Sequence, residues 1–220
     1  MNMTPERWDF TSDYICEVFG REDDHLRALM PRAVEAGLPD IAVDASVGRL
    51  LSLLAKMVDA RLVIELGTLA GYSGIWLARG LSEGGRLVTV EPEVTHADFA
   101  QQSFIDAGVA DRVEIMRTTG LPALESLLAQ HGEGAADLIF MDAIKTEYPD
   151  YLPLAKRLLR QGGLLVFDNM LGGGWWIDDA PGSSPSRDAA DRVNHLVSDD
   201  PDLDAACLPI REGVLVARKR

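Results

Sequence analysis

This chain is short of cysteine, of positive charge and of long apolar runs, and each shortage closes off a class of function. Its only cysteines are Cys16 and Cys207, far apart in sequence. No further Cys or His stands at ligand spacing, which argues against a disulfide framework or a thiolate zinc site and leaves two buried thiols as the expectation. Against 35 Asp and Glu there are 21 Lys and Arg, a net charge of −14 at pH 7. Such a chain repels a polyanion unless a basic face is segregated, and the basic clusters are only Lys156, Arg157 and Arg160 and the tail Arg218, Lys219 and Arg220. Nucleic acid is therefore a disfavoured partner. Nothing approaches the roughly eighteen unbroken apolar residues of a membrane helix. The opening MNMTPERWDF lacks the basic-then-apolar pattern of a secretory leader, so the cytoplasm is the expected location.

What is present is an alternating pattern. From residue 61 onward, short β-rich apolar runs alternate with segments of helical length, as parallel strands joined by helical crossovers do. The strands are expected at 61–66, 86–91, 112–117, 137–142 and 163–168, with helices near 73–81, 94–107, 121–130, 149–160 and 187–198. Several strands are apolar on both faces, as a doubly covered sheet requires. The last two runs, 204–210 and 214–219, are separated by Arg211, Glu212 and Gly213 alone, too few residues for a crossover, so they pair as an antiparallel hairpin. The first sixty residues read as helices, with Leu26, Leu29, Met30, Ala33 and Val34, then Val47, Leu50, Leu51, Leu54 and Val58 as their apolar positions. At 220 residues the chain is expected to form one α/β domain, 1–220, with a helical segment (1–60) ahead of the sheet core (61–220). No internal repeat is present. The stretch from Gly172 to Ser186, with Trp175 and Trp176, reads as a loop.

Four strand ends carry chemistry. The first runs into E-L-G-T-L-A-G-Y-S, in which Gly67 and Gly71 let a ligand approach backbone amides at a helix start. Its G-x-x-x-G spacing is not the dinucleotide fingerprint G-x-G-x-x-G. The second ends in Glu91, about twenty-five residues on, where a carboxylate can accept hydrogen bonds from both hydroxyls of a ribose. Together they point to a nucleoside-containing cofactor. Asp142 ends the run LIFM, and Asp168 with Asn169 ends LLVF. If both runs belong to one parallel sheet, three hard oxygen ligands meet, a set suited to Mg²⁺. Lys145 lies three residues after Asp142. Desolvated beside a cation, it is expected to have a lowered pKa and to serve as a base.

These residues together resemble the metal-dependent O-methyltransferases that include the catechol and caffeoyl-CoA enzymes. The segments ELGTLAGYS, TVEP, MDAIKTEYPDY, GGLLVFDNML and REGVLVARKR look like that family's motifs, in order, over about Pro31 to Arg220. The resemblance implies a Rossmann-like, doubly wound, mostly parallel seven-stranded sheet and S-adenosylmethionine as cofactor. It implies that Glu65, Gly67 and Ser73 hold the amino acid end of that cofactor, Glu91 its ribose, and that Val43 lies against its methionine part. It further implies Asp142, Asp168 and Asn169 as ligands of a divalent cation, with Asp142 also facing the cofactor, and Lys145 as general base. The acceptor would be a vicinal diol on a small aromatic molecule, and the N-terminal helices would form a homodimer. Thr118-Thr119-Gly120 departs from the family's usual Gly-Asp-Ala near the adenine, where Thr119 offers a hydroxyl. Rival readings are methylation of a modified tRNA nucleoside or a peptide carboxylate, or a cofactor-binding protein without catalysis.

Overall fold

The structure, a computed structural model, describes residues 4–172 and 177–220. Helix α1 (Pro5–Ile15) passes into a π-helical turn, Cys16–Gly20. Helices α2 (Asp24–Glu35) and α3 (Ala45–Met57) each start where an aspartate side chain accepts a free backbone N–H. Asp23 accepts from Leu26 (2.9 Å) and Asp44 from Val47 (3.0 Å), which satisfies one of the donors that every helix start leaves open. The core then alternates β1 (Leu62–Leu66), α4 (Tyr72–Gly80), β2 (Arg86–Val90), α5 (Val94–Asp106), β3 (Val113–Met116), α6 (Gly120–His131), β4 (Ala136–Met141), α7 (Tyr148–Leu158) and β5 (Leu159–Phe167). Helix α8 (Pro185–Ser198) leads to the hairpin β6 (Leu203–Leu208) and β7 (Val214–Lys219).

Strand order is β3-β2-β1-β4-β5-β7-β6. The first five are parallel, while β7 lies antiparallel between β5 and β6. Side chains alternate across each strand with period two, and the two faces bury separate layers. Val63, Leu138, Phe140 and Val166 pack with α3, α4 and α5. Ile64, Ile139, Met141, Leu165 and Phe167 pack with α6, α7 and α8. The chain winds outward from β1 to β3 and returns to place β4 on the other side of β1. That reversal opens a crevice at the carboxyl ends of the strands, between β1 and β4.

The expected elements are present, with differences that have local causes. Strand β5 begins at Leu159, straight out of α7, because its pairing with β4 slips between Leu159 and Leu164 and Gly162 takes a left-handed φ of +77° there. A bulge of this kind lets extra residues loop out without breaking the strand. Val34 is 46% exposed, since α2 buries only its Leu26, Leu29 and Ala33 face. Both cysteines are free, but Cys207 is exposed and Cys16 half-buried, which corrects the expectation of two buried thiols. Cys207 sits on β6, an edge strand with most of its residues open to solvent.

Helix α4 lies close to α5 because glycine leaves room there. A Cβ built on Gly74 would come within 2.9 Å of the Phe104 ring and 3.0 Å of Glu65 Oε2. Gly74→Ala is therefore expected to destabilise the fold by about 1–3 kcal/mol, the usual cost of overpacking, despite the better helix propensity of alanine. Urea denaturation compared with the parent chain checks this, and an unchanged or raised midpoint would contradict it.

Candidate functional site

Four residues stand one position past the ends of neighbouring strands, and backbone hydrogen bonds hold them abreast. Glu91 N–H donates to Met116 O (3.0 Å), Gly67 N–H to Val90 O (3.1 Å), Asp142 N–H to Leu66 O (2.9 Å) and Asp168 N–H to Met141 O (3.1 Å). Each step crosses from one strand to its neighbour, so Glu91, Gly67, Asp142 and Asp168 follow one another along the sheet. Above them opens a cleft of about 670 Å³, within the usual range for a small-molecule site. Val43, Gly67, Ser73, Glu91, Thr119, Asp142, Lys145 and Asn169 all line it. Glu65 and Asp168 do not line the wall. They lie fully buried beneath it.

At the β1 side the backbone is shaped for close approach. Gly67 has φ +103°, and a Cβ there would stand 2.0 Å from the Asp142 carbonyl oxygen, so only glycine fits between these two strand ends. Leu69 and Gly71 also take positive φ in the turn that starts α4. The Leu69 N–H donates to Glu91 Oε2 (2.8 Å) and the Glu93 N–H to Oε1 (3.1 Å). The carboxylate of Glu91 is thereby fixed in place at the cleft wall. Below, Glu65 Oε2 accepts from the Thr89 hydroxyl (2.6 Å), while Oε1 lacks a partner. Burial pushes its pKa up to about 7, against the pull of the neighbouring Ser73 and Thr89 hydroxyls.

At the β4–β5 side charge is concentrated. Asp168 has both carboxylate oxygens buried without a hydrogen bond, an arrangement that costs free energy unless a cation compensates it. The nearest cationic atom is Arg211 Nη1, 3.6 Å from Oδ2. Burial first, then the neighbouring Asp142 charge, push the Asp168 pKa up to about 7, and Lys145 and Arg211 oppose this. Asn169 adopts φ +57°, and its Nδ2 donates to Glu212 Oε2 (2.6 Å), leaving its carbonyl oxygen as the free acceptor of that amide. The candidate ligand set is thus two carboxylates and an amide oxygen. Among the described residues no three His, Cys, Asp or Glu side chains gather as a metal site.

Lys145 follows on the short turn before α7. Its Nζ donates to Asp142 Oδ1 (3.2 Å) and to the Tyr148 hydroxyl (2.8 Å). Burial pulls its pKa down, but Tyr148, Asp142 and Asp168 outweigh that effect and hold it above the ordinary lysine value. The lowering expected of Lys145 belongs to the lysine beside a cation, and this direction is that of the site without one. Carboxylates carrying their full charge favour the ammonium form, and the expected direction required a cation to neutralise them.

Sequence reasoning missed Tyr148, Arg211 and Glu212. Tyr148 had a legible signal, three residues after Lys145 at the start of a helix. Arg211 and Glu212 read only as a hairpin connection, and their approach to Asp168 and Asn169 depends on β7 pairing beside β5. His96 Nδ1, 3.5 Å from Glu91 Oε1, likewise had no signal. Trp175 and Trp176, in the stretch read as a loop, lie outside the described residues.

The chain matches the O-methyltransferase family over residues 17–220. It is 42% identical over 187 residues to a catechol O-methyltransferase of Mycobacterium tuberculosis, covering 85% of this chain and 82% of that one. To a catechol O-methyltransferase of Niastella koreensis it is 38% identical over 206 residues, covering 94% and 92%. Among solved structures, an O-methyltransferase of Streptomyces achromogenes involved in tomaymycin synthesis, in complex with S-adenosylmethionine, superposes with a TM-score of 0.88 at 34% identity, covering 99% of each chain.

The raised Asp168 pKa has a consequence for stability. A carboxyl that titrates near 7 when folded and near its ordinary value when unfolded binds more protons in the folded state between those pH values, so folding weakens as pH rises. In chelator, the stability of Asp168→Asn relative to the parent is expected to grow from pH 4 to pH 7, by at most about 1.4 kcal/mol per unit, and to level off above. Glu65 titrates in both proteins and cancels. Thermal melts across pH check this, and a pH-independent difference would contradict it.

Proposed function

This chain belongs to the O-methyltransferase family, and from that premise we propose that it uses S-adenosylmethionine and a divalent cation to methylate one hydroxyl of a vicinal diol on a small, catechol-like aromatic acceptor. The observation that carries this reading is the line of strand ends. One cleft holds a glycine turn and a clamped Glu91 on one side, and on the other Asp142, Lys145 and Asn169 above the unpartnered Asp168 carboxylate. The names of the relatives support the acceptor class, since two of them are called catechol O-methyltransferases.

On the cofactor side, Gly67 and Ser73 meet the amino acid end, with Glu65 acting from below through Ser73, which it neighbours. Val43 covers the methionine part, Glu91 takes the ribose hydroxyls and Thr119 stands toward the adenine. S-adenosylmethionine supplies a methyl group on a positively charged sulfur. On the acceptor side Asp142, Asp168 and the Asn169 carbonyl are the ligands. The orphaned oxygens of Asp168 fit a hard cation such as Mg²⁺. A cation held by Asp142, Asp168 and Asn169 would lower the pKa of a hydroxyl brought to it and offset the charge of the two aspartates. With those charges offset, Asp142 and Asp168 would favour the Lys145 ammonium less, while Tyr148 would still accept from its nitrogen. Lys145 in its amine form accepts the acceptor's hydroxyl proton and becomes the ammonium, the oxygen takes the methyl, and the sulfur leaves as a neutral thioether. Positioning carries most of the rate gain, because no covalent enzyme intermediate is formed.

The same reading takes residues 1–220 as one catalytic domain of cytoplasmic type acting as a homodimer. Phe10 (70% exposed), Tyr14 and Phe19 are exposed on α1 and the turn after it, with the Phe10 and Tyr14 rings stacked, and this reading takes them as part of the contact between copies. No helix among the described residues is long and apolar enough to cross a membrane.

Turnover of catechol-type acceptors with S-adenosylmethionine is expected to stop in chelator and to return with Mg²⁺. Lys145→Ala is expected to lower kcat by about 10²–10⁴-fold, the range for a general base, with S-adenosylhomocysteine affinity intact. Chelator-insensitive turnover would remove the cation, and unchanged kcat in the variant would remove the base.

A further inference from the structure

We propose that Tyr148 is the positioning residue for Lys145, acting as a fixed acceptor that leaves the amine a single open valence facing the cleft. The inference rests on Lys145 being the base. Tyr148 is fully buried, at the start of α7, with its ring packed near Tyr151 and Phe167 at centroid distances of 6.3 and 5.9 Å. A phenol hydroxyl has one proton to donate and two lone pairs to accept with. Here three partners use all of them. The proton goes to the Met141 carbonyl (2.9 Å), which can only accept. One lone pair takes the Ala143 N–H (3.1 Å) and the other takes Lys145 Nζ (2.8 Å).

The direction of the contact to Lys145 is therefore settled by the backbone. Because the phenol proton is committed to a carbonyl, Tyr148 accepts from the lysine and does not donate to it. Asp142 Oδ1, at 3.2 Å, also only accepts. When Lys145 is a neutral amine it has two N–H bonds and one lone pair. Two acceptors claim the two N–H bonds, so the lone pair is the valence left over. Lys145 itself lines the cleft, and the proposal assigns that valence to the cleft side. Without Tyr148 the amine would rotate, and its lone pair would turn toward the acceptor hydroxyl only part of the time. Tyr148 touches neither acceptor nor cofactor in this scheme. It anchors three groups of one strand end, Met141, Ala143 and Lys145, to one atom.

The test is a double-mutant cycle on the full chain, with catechol as acceptor and Mg²⁺ present. Tyr148→Phe keeps the ring and removes the oxygen. It is expected to lower kcat about tenfold or more, equivalent to losing one hydrogen bond of about 1.4 kcal/mol, while the KM for S-adenosylmethionine and the S-adenosylhomocysteine affinity stay within about twofold. In a Lys145→Ala background the same change is expected to leave the residual kcat within about twofold, because there is no amine left to position. If Tyr148→Phe lowers kcat by the same factor in both backgrounds, Tyr148 is a structural residue and the proposal falls. If Lys145→Ala alone leaves kcat unchanged, the base assignment fails, a result distinct from the first, and the proposal falls with it. A measurement on the parent chain stands apart from the variants: NMR relaxation of the Lys145 side chain is expected to show a rigid amine, and mobility equal to that of surface lysines would overturn the proposal.

Discussion

The site depends on one constraint, the common end point of four adjacent parallel strands. Register pairs Leu66 with Met141 and Met141 with Phe167, so the next residue of each strand emerges at the same height. Backbone hydrogen bonds from Glu91, Gly67, Asp142 and Asp168 back to the neighbouring strand then fix their Cα positions before any side chain is considered. A slip by one residue in any strand would turn its functional side chain to the opposite face. The apolar layers on both faces prevent this, since such a slip would also exchange their buried residues. Packing far from the cleft thus sets the geometry inside it.

The electrostatic arrangement follows from that placement. The strand ends carry two acids side by side, with Asp168 buried below and Asp142 at the wall, and among the described residues Lys145 and Arg211 are the positive groups paired with them. Without a cation the acids favour Lys145 as an ammonium, and burial together with the Asp142 charge pushes Asp168 toward protonation. A divalent ion held by these residues in the proposed function would offset the charge of the acids and weaken their hold on the lysine proton. In the proposed function cation binding and base strength are accordingly one event, not two.

Much of this was legible in the residues alone. The strand-and-helix alternation follows from periodicity, and the hairpin from the three residues that separate its strands. Asp142, Asp168 and Asn169 stood out because apolar runs ended at them. Depth was not legible. Nothing in the chain distinguishes Glu91, on the wall, from Glu65, under it, since that depends on which way each side chain turns at its strand end. The partners supplied by chain-distant segments, Arg211 for Asp168 and Glu212 for Asn169, depend on β7 inserting beside β5. The pKa direction of Lys145 without a cation was not legible either, for a related reason. The burial was foreseen, whereas the balance between burial and three nearby oxygens requires distances.

The most direct test of the account is crystallographic, on protein grown with S-adenosylhomocysteine and Mn²⁺ and measured at the manganese absorption edge. The account predicts one anomalous peak at roughly 2.0–2.4 Å from oxygens of Asp142, Asp168 and Asn169 together, near the usual hard-cation distances, with Lys145 Nζ beside it and still bonded to Tyr148. A peak on other residues, or none at saturating Mn²⁺, would contradict it.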